Sequence, residues 1–303
     1  MTKLILKLNT TKNFLLGIFL FGLNSFPVFA EKPFADIHLH YNWDQAETIS
    51  PAEVISKIKK TNTRLAIISS TPTHLALELK QKAGNWLYPI FSPYTHELGK
   101  QDWYVDTKLV DKVEQGLKSG NYFGLGEIHF MAGFPPNSKN KNFKALMNLA
   151  KRYQVPVLIH VDSGDEKYFL DICTKHKKVK ILFAHAGGNL SANHIQEILT
   201  TCSNVWLEFS ARDPWRYGGL TDESHYLLEE WKIVIIKFSN RILTGTDPVW
   251  RVTRTQSWDQ VDDGWDHYEK LHQFHQSWIN TLPSKIQEQI RWTNAREFLN
   301  LKP

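Results

Sequence analysis

The sequence predicts an α/β protein whose strands and helices form a (β/α)8 barrel, the TIM barrel. Eight short apolar segments alternate with amphipathic segments, and residues 31–303 supply the ~250 residues that one such barrel needs. Strands that alternate with helices form right-handed βαβ units and therefore a parallel sheet. Since the chain shows no linker or repeat, we expect one domain at 31–303, closed into a barrel rather than left as an open sheet.

The eight candidate strands are short and rich in branched and aromatic residues. They cover residues 34–39, 64–69, 87–91, 122–128, 155–160, 179–184, 204–209 and 241–245. Between them, Ser50 and Pro51 indicate the N-cap and first residue of a helix. Leu109, Val113 and Leu117 form the apolar stripe of another helix.

Two stretches rich in aromatic and charged residues, 211–232 and 250–278, are predicted to be loops at the C-terminal mouth of the barrel. Trp215, Trp250 and Trp258 in these loops could wall a substrate pocket, or could pack the loops against the barrel. The aromatic C-terminal region is also a candidate surface for a homodimer.

The first 30 residues have the layout of a secretory signal peptide. Lys3, Lys7 and Lys12 give a basic start, an apolar run follows at 14–23, and the segment ends on the small residue Ala30. The run is shorter than the roughly 20 residues of a membrane span, although an uncleaved anchor is the alternative. We expect cleavage after residue 30 and an exported protein, periplasmic or secreted, with no membrane span thereafter.

Composition argues against one class of partner and leaves one pairing open. The formal net charge is +5, but no dense cluster of Lys and Arg interleaves with aromatic residues, so we expect no nucleic-acid partner. The two cysteines are Cys173 and Cys202. In an oxidising compartment they could form a disulfide, and two separate buried thiols are an equal alternative.

The stretch "ADIHLH" places two histidines, His38 and His40, in the first predicted strand. With 13 histidines in the chain, a chance His-x-His is not rare. A strand has a period of two, however, so both imidazoles point to the same side and can bind one metal ion.

Four more residues with ligand chemistry end other predicted strands: Glu127, His160, His185 and Asp247. Taken singly, each could be a hydrogen-bonded core residue or part of a turn. In a barrel, however, the C-terminal ends of all strands meet around one mouth. Imidazole and carboxylate together suit Zn²⁺, and also Fe, Mn or Ni. The pattern therefore predicts a divalent-metal centre, first of all zinc, with one or two ions.

Six motifs in this order resemble those of the amidohydrolase superfamily, within it the amidohydrolase-related (amidohydrolase-2) group of metal-dependent hydrolases. They are "DIHLH" at 36–40, "GEI" at 126–128, "LIH" at 158–160, "FAHAGG" at 183–188, "LTGTDP" at 243–248 and "NAREFLNL" at 294–301. The resemblance spans essentially the whole chain after residue 30, and it implies a (β/α)8 barrel with its metal centre at the strand C-termini.

The resemblance also implies roles for the site residues. His38 and His40 match metal ligands of strand one, and His160 and His185 match those of strands five and six. Asp247 matches a strand-eight ligand that accepts the proton of the attacking water and returns it to the leaving group. His185, or the metal itself, would polarise the substrate. No lysine that could be carboxylated to bridge two metal ions is evident in strand four, and Glu127 occupies that general place, as in TatD-like members. The resemblance leaves open whether the site holds one ion or a bridged pair.

Three further residues are candidates for binding a small-molecule substrate. Arg212 follows the seventh predicted strand and could hold a carboxylate or phosphate, with an ion pair to Asp213 or Glu208 as the alternative. His129 shares the inward parity of the fourth strand, and His74 follows the second.

Three functions are compatible with these residues. The first is an exported metal-dependent hydrolase that uses metal-activated water on an amide, ester, lactone or phosphoester. The second is a metal-dependent decarboxylase of the same superfamily. The third is a non-catalytic exported metal-binding protein, against which a retained Asp247 and an absence of cysteine ligands both argue.

Overall fold

Eight parallel strands form the centre of the protein, described here from a computed structural model over residues 32–97, 99–249 and 262–301. The signal segment at 1–30 and the residues Trp250 and Trp258 lie outside these ranges. The strands are β1 Phe34–His40, β2 Thr63–Ser69, β3 Leu87–Pro89, β4 Leu125–Met131, β5 Val157–Asp162, β6 Ile181–Phe183, β7 Val205–Glu208 and β8 Ile242–Leu243. Each predicted strand overlaps one of them.

Hydrogen bonds join the strands into a barrel. Strands β1 to β3 pair in order, as do β4 to β8, all in parallel. At one seam, Phe91 N–H donates to Gly124 O and Gly126 N–H donates to Phe91 O, both at 2.9 Å. At the other seam, Ile37 N–H donates to Thr244 O at 2.9 Å. The predicted (β/α)8 barrel is therefore confirmed.

Twelve α-helices surround the strands within the described ranges. They are α1 Trp43–Thr48, α2 Pro51–Lys60, α3 His74–Ala83, α4 Gly99–Asp102, α5 Leu109–Lys118, α6 Lys141–Tyr153, α7 Glu166–Lys175, α8 Ala192–Thr201, α9 Glu229–Lys237, α10 Tyr268–Ile279, α11 Ser284–Glu288 and α12 Asn294–Phe298. Ser50 is the N-cap of α2 and forms a capping box with Glu53, as expected. None of the described helices combines the length and the apolar character of a membrane span.

The barrel interior is layered, with an apolar floor below a polar mouth. The floor is one buried cluster that includes Ile37, Leu158, Leu182 and Trp206 and is closed from below by Phe298 of α12. Histidine and carboxylate side chains lie above it. In β1 the pairing register shifts between Asp36 and Leu39. This shift lets both Ile37 and the histidines after it face the interior.

One part of the chain differs from the expectation. Within the predicted loop 250–278, the structure has helix α10, whose Tyr268, Leu271, Phe274 and Trp278 are buried. These residues lie three or four apart, which is the spacing of one face of a helix. The many charged residues of 250–278 made this helical pattern difficult to recognise in the sequence. Because the four side chains face the core, they do not offer a surface for a second copy of the chain.

A disulfide joins Cys173 in α7 to Cys202, the residue that follows α8. The two Cα atoms are 6.1 Å apart. Of the two alternatives for these cysteines, the structure has the paired one. The bridge ties together two helices on the outside of the barrel.

Candidate metal centre

The structure brings together all six residues predicted to bind metal. His38, Glu127 and His160 lie within β1, β4 and β5, His40 ends β1, and His185 and Asp247 follow β6 and β8. All six are buried, with exposures between 1 and 8 per cent. Sequence positions more than 200 residues apart thus converge at one point of the barrel mouth.

The first group of ligand atoms lies at the end of β1. The Nε2 atoms of His38 and His40 are 3.0 Å apart. Glu127 Oε2 lies 3.6 Å from His38 Nε2 and 3.3 Å from His40 Nε2. Asp247 Oδ1 approaches the same two atoms at 3.9 and 3.6 Å. Two imidazoles and two carboxylates therefore surround one small volume.

The second group lies on the other side of Glu127. Its Oε1 atom is 3.1 Å from His160 Nδ1 and 3.4 Å from His185 Nε2, and these two nitrogens are 3.0 Å apart. The carboxylate of Glu127 thus turns one oxygen to each pair of histidines. A third combination, His38 with His185 and Asp247, also has its ligand atoms within 4.8 Å of one another.

These residues fit a divalent cation. Imidazole nitrogens and carboxylate oxygens are ligands of Zn²⁺, Mn²⁺ and Fe²⁺. Burial acts against a charged imidazole, yet the carboxylates of Glu127, Glu208 and Asp247 raise the pKa of His38 well above its ordinary value. A site with so negative a potential would also attract a metal ion, and His38 could then offer Nε2 to that ion in place of a proton.

Glu208, at the end of β7, orients the first ligand and was not among the predicted site residues. Its Oε1 lies 2.9 Å from His38 Nδ1 and accepts the backbone N–H of His185 at 2.7 Å. Burial opposes ionisation, but the neighbouring His38 holds the pKa of Glu208 at about 2. A metal-binding histidine commonly donates its other nitrogen to a carboxylate in this way. An acidic residue at a strand end was the signal that could have revealed it.

A second carboxylate orients His160. Asp162 Oδ1 is 3.1 Å from His160 Nε2, so the Nδ1 atom of the same ring is turned to the ligand group. Tyr217 donates its hydroxyl to Asp162 Oδ1 at 3.1 Å. Each of the two ligand groups therefore contains a histidine that is held from behind by an acid.

The "TGTDP" turn fixes the position of Asp247. A Cβ atom on Gly245 would lie 2.6 Å from His38 Cβ, so only glycine allows β8 to approach β1 so closely. Asp247 itself has a φ of 47°, in the left-handed region. Arg216 holds this backbone, since its Nη1 donates to Asp247 O at 2.5 Å and its Nη2 donates to Thr246 O at 2.8 Å.

His129, predicted to bind substrate, is at the edge of the ligand cluster. The hydroxyl oxygen of Tyr94 accepts the backbone N–H of His129 at 2.8 Å and also lies 2.8 Å from His129 Nδ1. Since the Glu127 carboxylate beside Nε2 can only accept, the hydrogen of the neutral ring is on Nε2, and Nδ1 accepts the hydrogen of the Tyr94 hydroxyl. Burial lowers the pKa of His129 well below its ordinary value, so the ring is neutral. Its Nε2–H group lies 3.2 Å from Glu127 Oε2.

Arg212 is placed differently from the prediction that it clamps a substrate. Its guanidinium is 4 per cent exposed and donates to the carbonyls of His185 at 3.0 Å, Ala186 at 2.9 Å and Leu190 at 2.5 Å. It also stacks on Trp231 at 4.7 Å. Because these carbonyls occupy its donors, Arg212 holds the left-handed turn that carries His185. The alternative ion pairs of Arg212 with Asp213 or Glu208 are not formed among the described residues.

His74 and Trp215 also lie away from the ligand cluster. The His74 side chain is 63 per cent exposed at the start of α3 and lies 3.9 Å from Glu78. Trp215 packs edge-to-face on Phe274 of α10 and lies under the Lys270 ammonium at 4.0 Å, so it packs a loop against the barrel. The positions of these residues after strands did not determine where their side chains point.

A cleft opens above the ligand cluster. Its walls include five residues with hydroxyl groups, Ser69, Thr71, Ser92, Tyr94 and Tyr217. Lys100 of α4 lines the same cleft. Five of the six residues predicted to bind metal, all except His38, also line the cleft. The cleft can thus hold a small polar molecule with one end against these five residues.

The family model of the amidohydrolases matches residues 105–301 of the chain. No curated protein is significantly similar to the chain in sequence. Among solved structures, a zinc-bound amidohydrolase from Burkholderia multivorans is 12% identical, with a TM-score of 0.61 over 89% of this chain and 100% of that one.

Two further solved structures share the fold. A TatD homologue from Escherichia coli is 15% identical, with a TM-score of 0.62 over 89% of this chain and 98% of that one. A 2,6-dihydroxybenzoate decarboxylase in complex with 2,6-dihydroxybenzoate is 11% identical, with a TM-score of 0.55 over 89% of this chain and 100% of that one. At such identities the similarity shows the fold alone.

Proposed function

Because the chain belongs to the amidohydrolase family, with its metal-dependent hydrolase-like chemistry, we propose that it hydrolyses an amide, ester, lactone or phosphoester at a two-metal site. The observation that carries this proposal is the position of Glu127, whose two oxygens each face a separate pair of histidines at 3.1 to 3.6 Å. A carboxylate placed in this way fits a bridge between two ions.

We assign His38, His40, Glu127 and Asp247 to one ion, and His160 and His185 with Glu127 to the other. Zinc is the ion that we propose, since the zinc-bound relative from Burkholderia multivorans has the same fold and the donor atoms suit it. Such ions, when bound, lower the pKa of water from ~16 towards 7 and polarise a carbonyl or phosphoryl oxygen.

The chain's own side chains supply the proton transfers. Asp247 is placed to accept a proton from water and return it to the leaving group, because its carboxylate borders both the ligand cluster and the cleft. His129 donates through Nε2–H and can bind a substrate oxygen that gains negative charge. His185 is a proposed ligand of the second ion. A hydrogen bond between its Nδ1 and Ser210 Oγ, 2.8 Å apart, orients its ring.

Decarboxylation of an organic acid is the second candidate. The solved decarboxylase with its bound aromatic acid has the same fold, and Lys100 provides a positive charge in the cleft. Hydrolysis and decarboxylation are separated by their products. Release of CO₂ from an acid, without cleavage of any ester, lactone or phosphoester offered, would replace the first proposal by the second.

We also propose that the protein is exported after cleavage at residue 30. The signal layout at 1–30 supports this, and so does the Cys173–Cys202 disulfide, since disulfides persist in oxidising compartments. N-terminal sequencing of protein recovered outside the cytoplasm should find Glu31 first, and an intact Met1 there would reject cleavage.

The hydrolase proposal is tested by Asp247→Asn in zinc-loaded protein, screened against aryl esters, lactones and phosphoesters. We expect the wild type to hydrolyse at least one class and the variant to lose at least 1,000-fold in kcat, in the range that catalytic groups contribute. Unchanged turnover in the variant would remove the assigned role from Asp247. Zinc binding without turnover of any substrate would favour the non-catalytic binding protein.

A further inference from the structure

We propose that Lys100 is a carboxylate-binding subsite, so that the substrate is an organic acid whose reacting bond lies a few atoms from a free carboxylate. The inference rests on the proposed function, because it places the far end of the molecule that the metal centre would cleave. It also takes over the role that the sequence suggested for Arg212, whose donors are occupied by backbone carbonyls.

Lys100 is the positive side chain that lines the cleft within the described ranges; no other Lys or Arg there does so. Among the described residues, no carboxylate lies within 4.0 Å of its ammonium. Two acids that follow Lys100 in the sequence have other partners: Asp102 pairs with His96 at 3.2 Å, and Asp106 pairs with Lys112 at 3.2 Å. An unpaired ammonium in a binding cleft is free to pair with an anion of the substrate.

The position of Lys100 is fixed by the residues around it. Helix α4 begins at Gly99, where an added Cβ would lie 2.8 Å from Tyr94 Cα, so glycine allows α4 to lie directly against the Tyr94 segment. The ammonium of Lys100 then lies 5.9 Å from the centre of the Tyr94 ring. Tyr94 in turn bonds His129, which borders Glu127. A continuous path of contacts thus leads from the ammonium to the ligand cluster.

The chemistry of this wall favours a carboxylate over a phosphate. Lys100 offers one positive charge, and no guanidinium among the described residues lines the cleft to hold a phosphate dianion with two parallel hydrogen bonds. The hydroxyls of Ser92 and Thr71, 3.5 Å apart, line the same cleft and are suited to neutral polar groups of the substrate. The charge of Lys100 also acts on His129, whose pKa is lowered mainly by burial and further by this ammonium.

The experiment uses zinc-loaded full-length mature protein and titration calorimetry with succinate, glutarate and adipate, each compared with its monomethyl ester. One carboxylate can meet the metal centre, and the second can reach Lys100 only when the chain length suits. For the best diacid we expect the wild type to bind about tenfold more tightly than to the monoester, as a charged hydrogen bond implies. In Lys100→Gln the ratio should fall to about two, the statistical advantage of two equivalent ends.

Lys118→Gln is the matched control, because Lys118 lies on α5 and pairs with Glu114 at 3.3 Å, outside the cleft. It should keep the wild-type ratio. Equal ratios in the wild type and Lys100→Gln would overturn the subsite, as would failure of all three diacids to bind at millimolar concentration. If zinc binds and an ester is hydrolysed in either of those cases, the hydrolase proposal stands and the subsite alone falls. If zinc does not bind, both fall.

Discussion

Glu208 Oε1 lies 2.9 Å from His38 Nδ1, on the side of the ring away from the metal-facing Nε2. Both side chains are buried, and the same carboxylate oxygen accepts the backbone N–H of His185. One acid on β7 therefore fixes the ring orientation of the proposed ligand His38 on β1 and the backbone of the proposed ligand His185 after β6. The positions of two proposed ligands thus depend on Glu208, which is not itself a proposed ligand.

Glu208→Gln should weaken zinc binding about 10- to 100-fold, the range found when the carboxylate behind a metal-binding histidine is removed. The amide can still accept one hydrogen bond, but it loses the negative charge that favours a cation. Competition with a chelator measures the change in Kd. Glu197→Gln, on the exposed face of α8, is the control and should leave Kd unchanged. Equal affinities in both variants would contradict this role.

Tyr94→Phe should lower kcat about 10- to 100-fold and leave the zinc content unchanged. Without the hydroxyl, His129 loses the donor that keeps its hydrogen on Nε2, so part of the population presents a lone pair to the substrate. Nitrogen NMR of ¹⁵N-histidine protein reports the tautomer directly. Tyr153→Phe removes a hydroxyl that bonds Glu114 far from the cleft, and it should behave as wild type. A wild-type His129 spectrum in Tyr94→Phe would show that the hydroxyl is not what fixes the ring.

The convergence of the six candidate ligands could be predicted because a closed parallel barrel has a simple geometry. Residues towards the C-terminal ends of the strands meet at one mouth, so six polar residues on five strands were expected to lie together before any contact was known. Side chains in loops do not follow this rule. Arg212 follows β7 closely, yet its guanidinium does not face the cleft. It donates instead to the backbone carbonyls of His185 and Ala186.

Other features depended on long-range contacts that the sequence does not encode locally. Tyr94 belongs to no strand or helix, and its contact with His129 exists only because β3 and β4 are neighbours. Strand β8 is two residues long, shorter than the apolar run that predicts it, because the chain turns at Gly245 to bring Asp247 over His38. Helix α10 was obscured by its charged residues.

Serine replacement of both Cys173 and Cys202 should lower the free energy of unfolding by about 3–4 kcal/mol, if the entropy of a loop with a sequence separation of 29 residues dominates. Zinc content should not change, since both sulfurs lie in the helical layer, away from the mouth. Denaturant unfolding of oxidised wild type and variant measures the difference. Two free thiols in wild-type protein, found by non-reducing mass analysis, would contradict the pairing itself.

Asp262→Asn should stabilise the metal-free protein at pH 8 by about 1–3 kcal/mol. Burial raises the pKa of Asp262 to about 9, and the nearby Asp44 and Asp247 add to this. An acid whose pKa is raised on folding contributes its full stabilisation of the folded state only when the pH is below the pKa of the unfolded chain, near 4. This contribution is lost progressively as the pH rises from about 4 towards 9. Asparagine keeps the acceptor for Gly264 N–H, which Asp262 Oδ1 holds at 2.9 Å.

Urea unfolding of wild type and Asp262→Asn at several pH values gives the test. The advantage of the variant should shrink as pH is lowered from 8 towards 4. A constant difference between the two proteins across this range would mean that Asp262 titrates alike in the folded and unfolded chain.

The metal content of purified mature protein tests the central claim most directly, because Glu127 is proposed to bridge two ions. After zinc reconstitution, elemental analysis should find about two ions per chain in the wild type. The His38→Ala/His40→Ala variant should hold at most one, since His160, His185 and Glu127 remain. A single ion in the wild type, whether or not the variant retains it, or no ion after reconstitution with Zn²⁺, Mn²⁺ or Fe²⁺, would contradict the bridged centre.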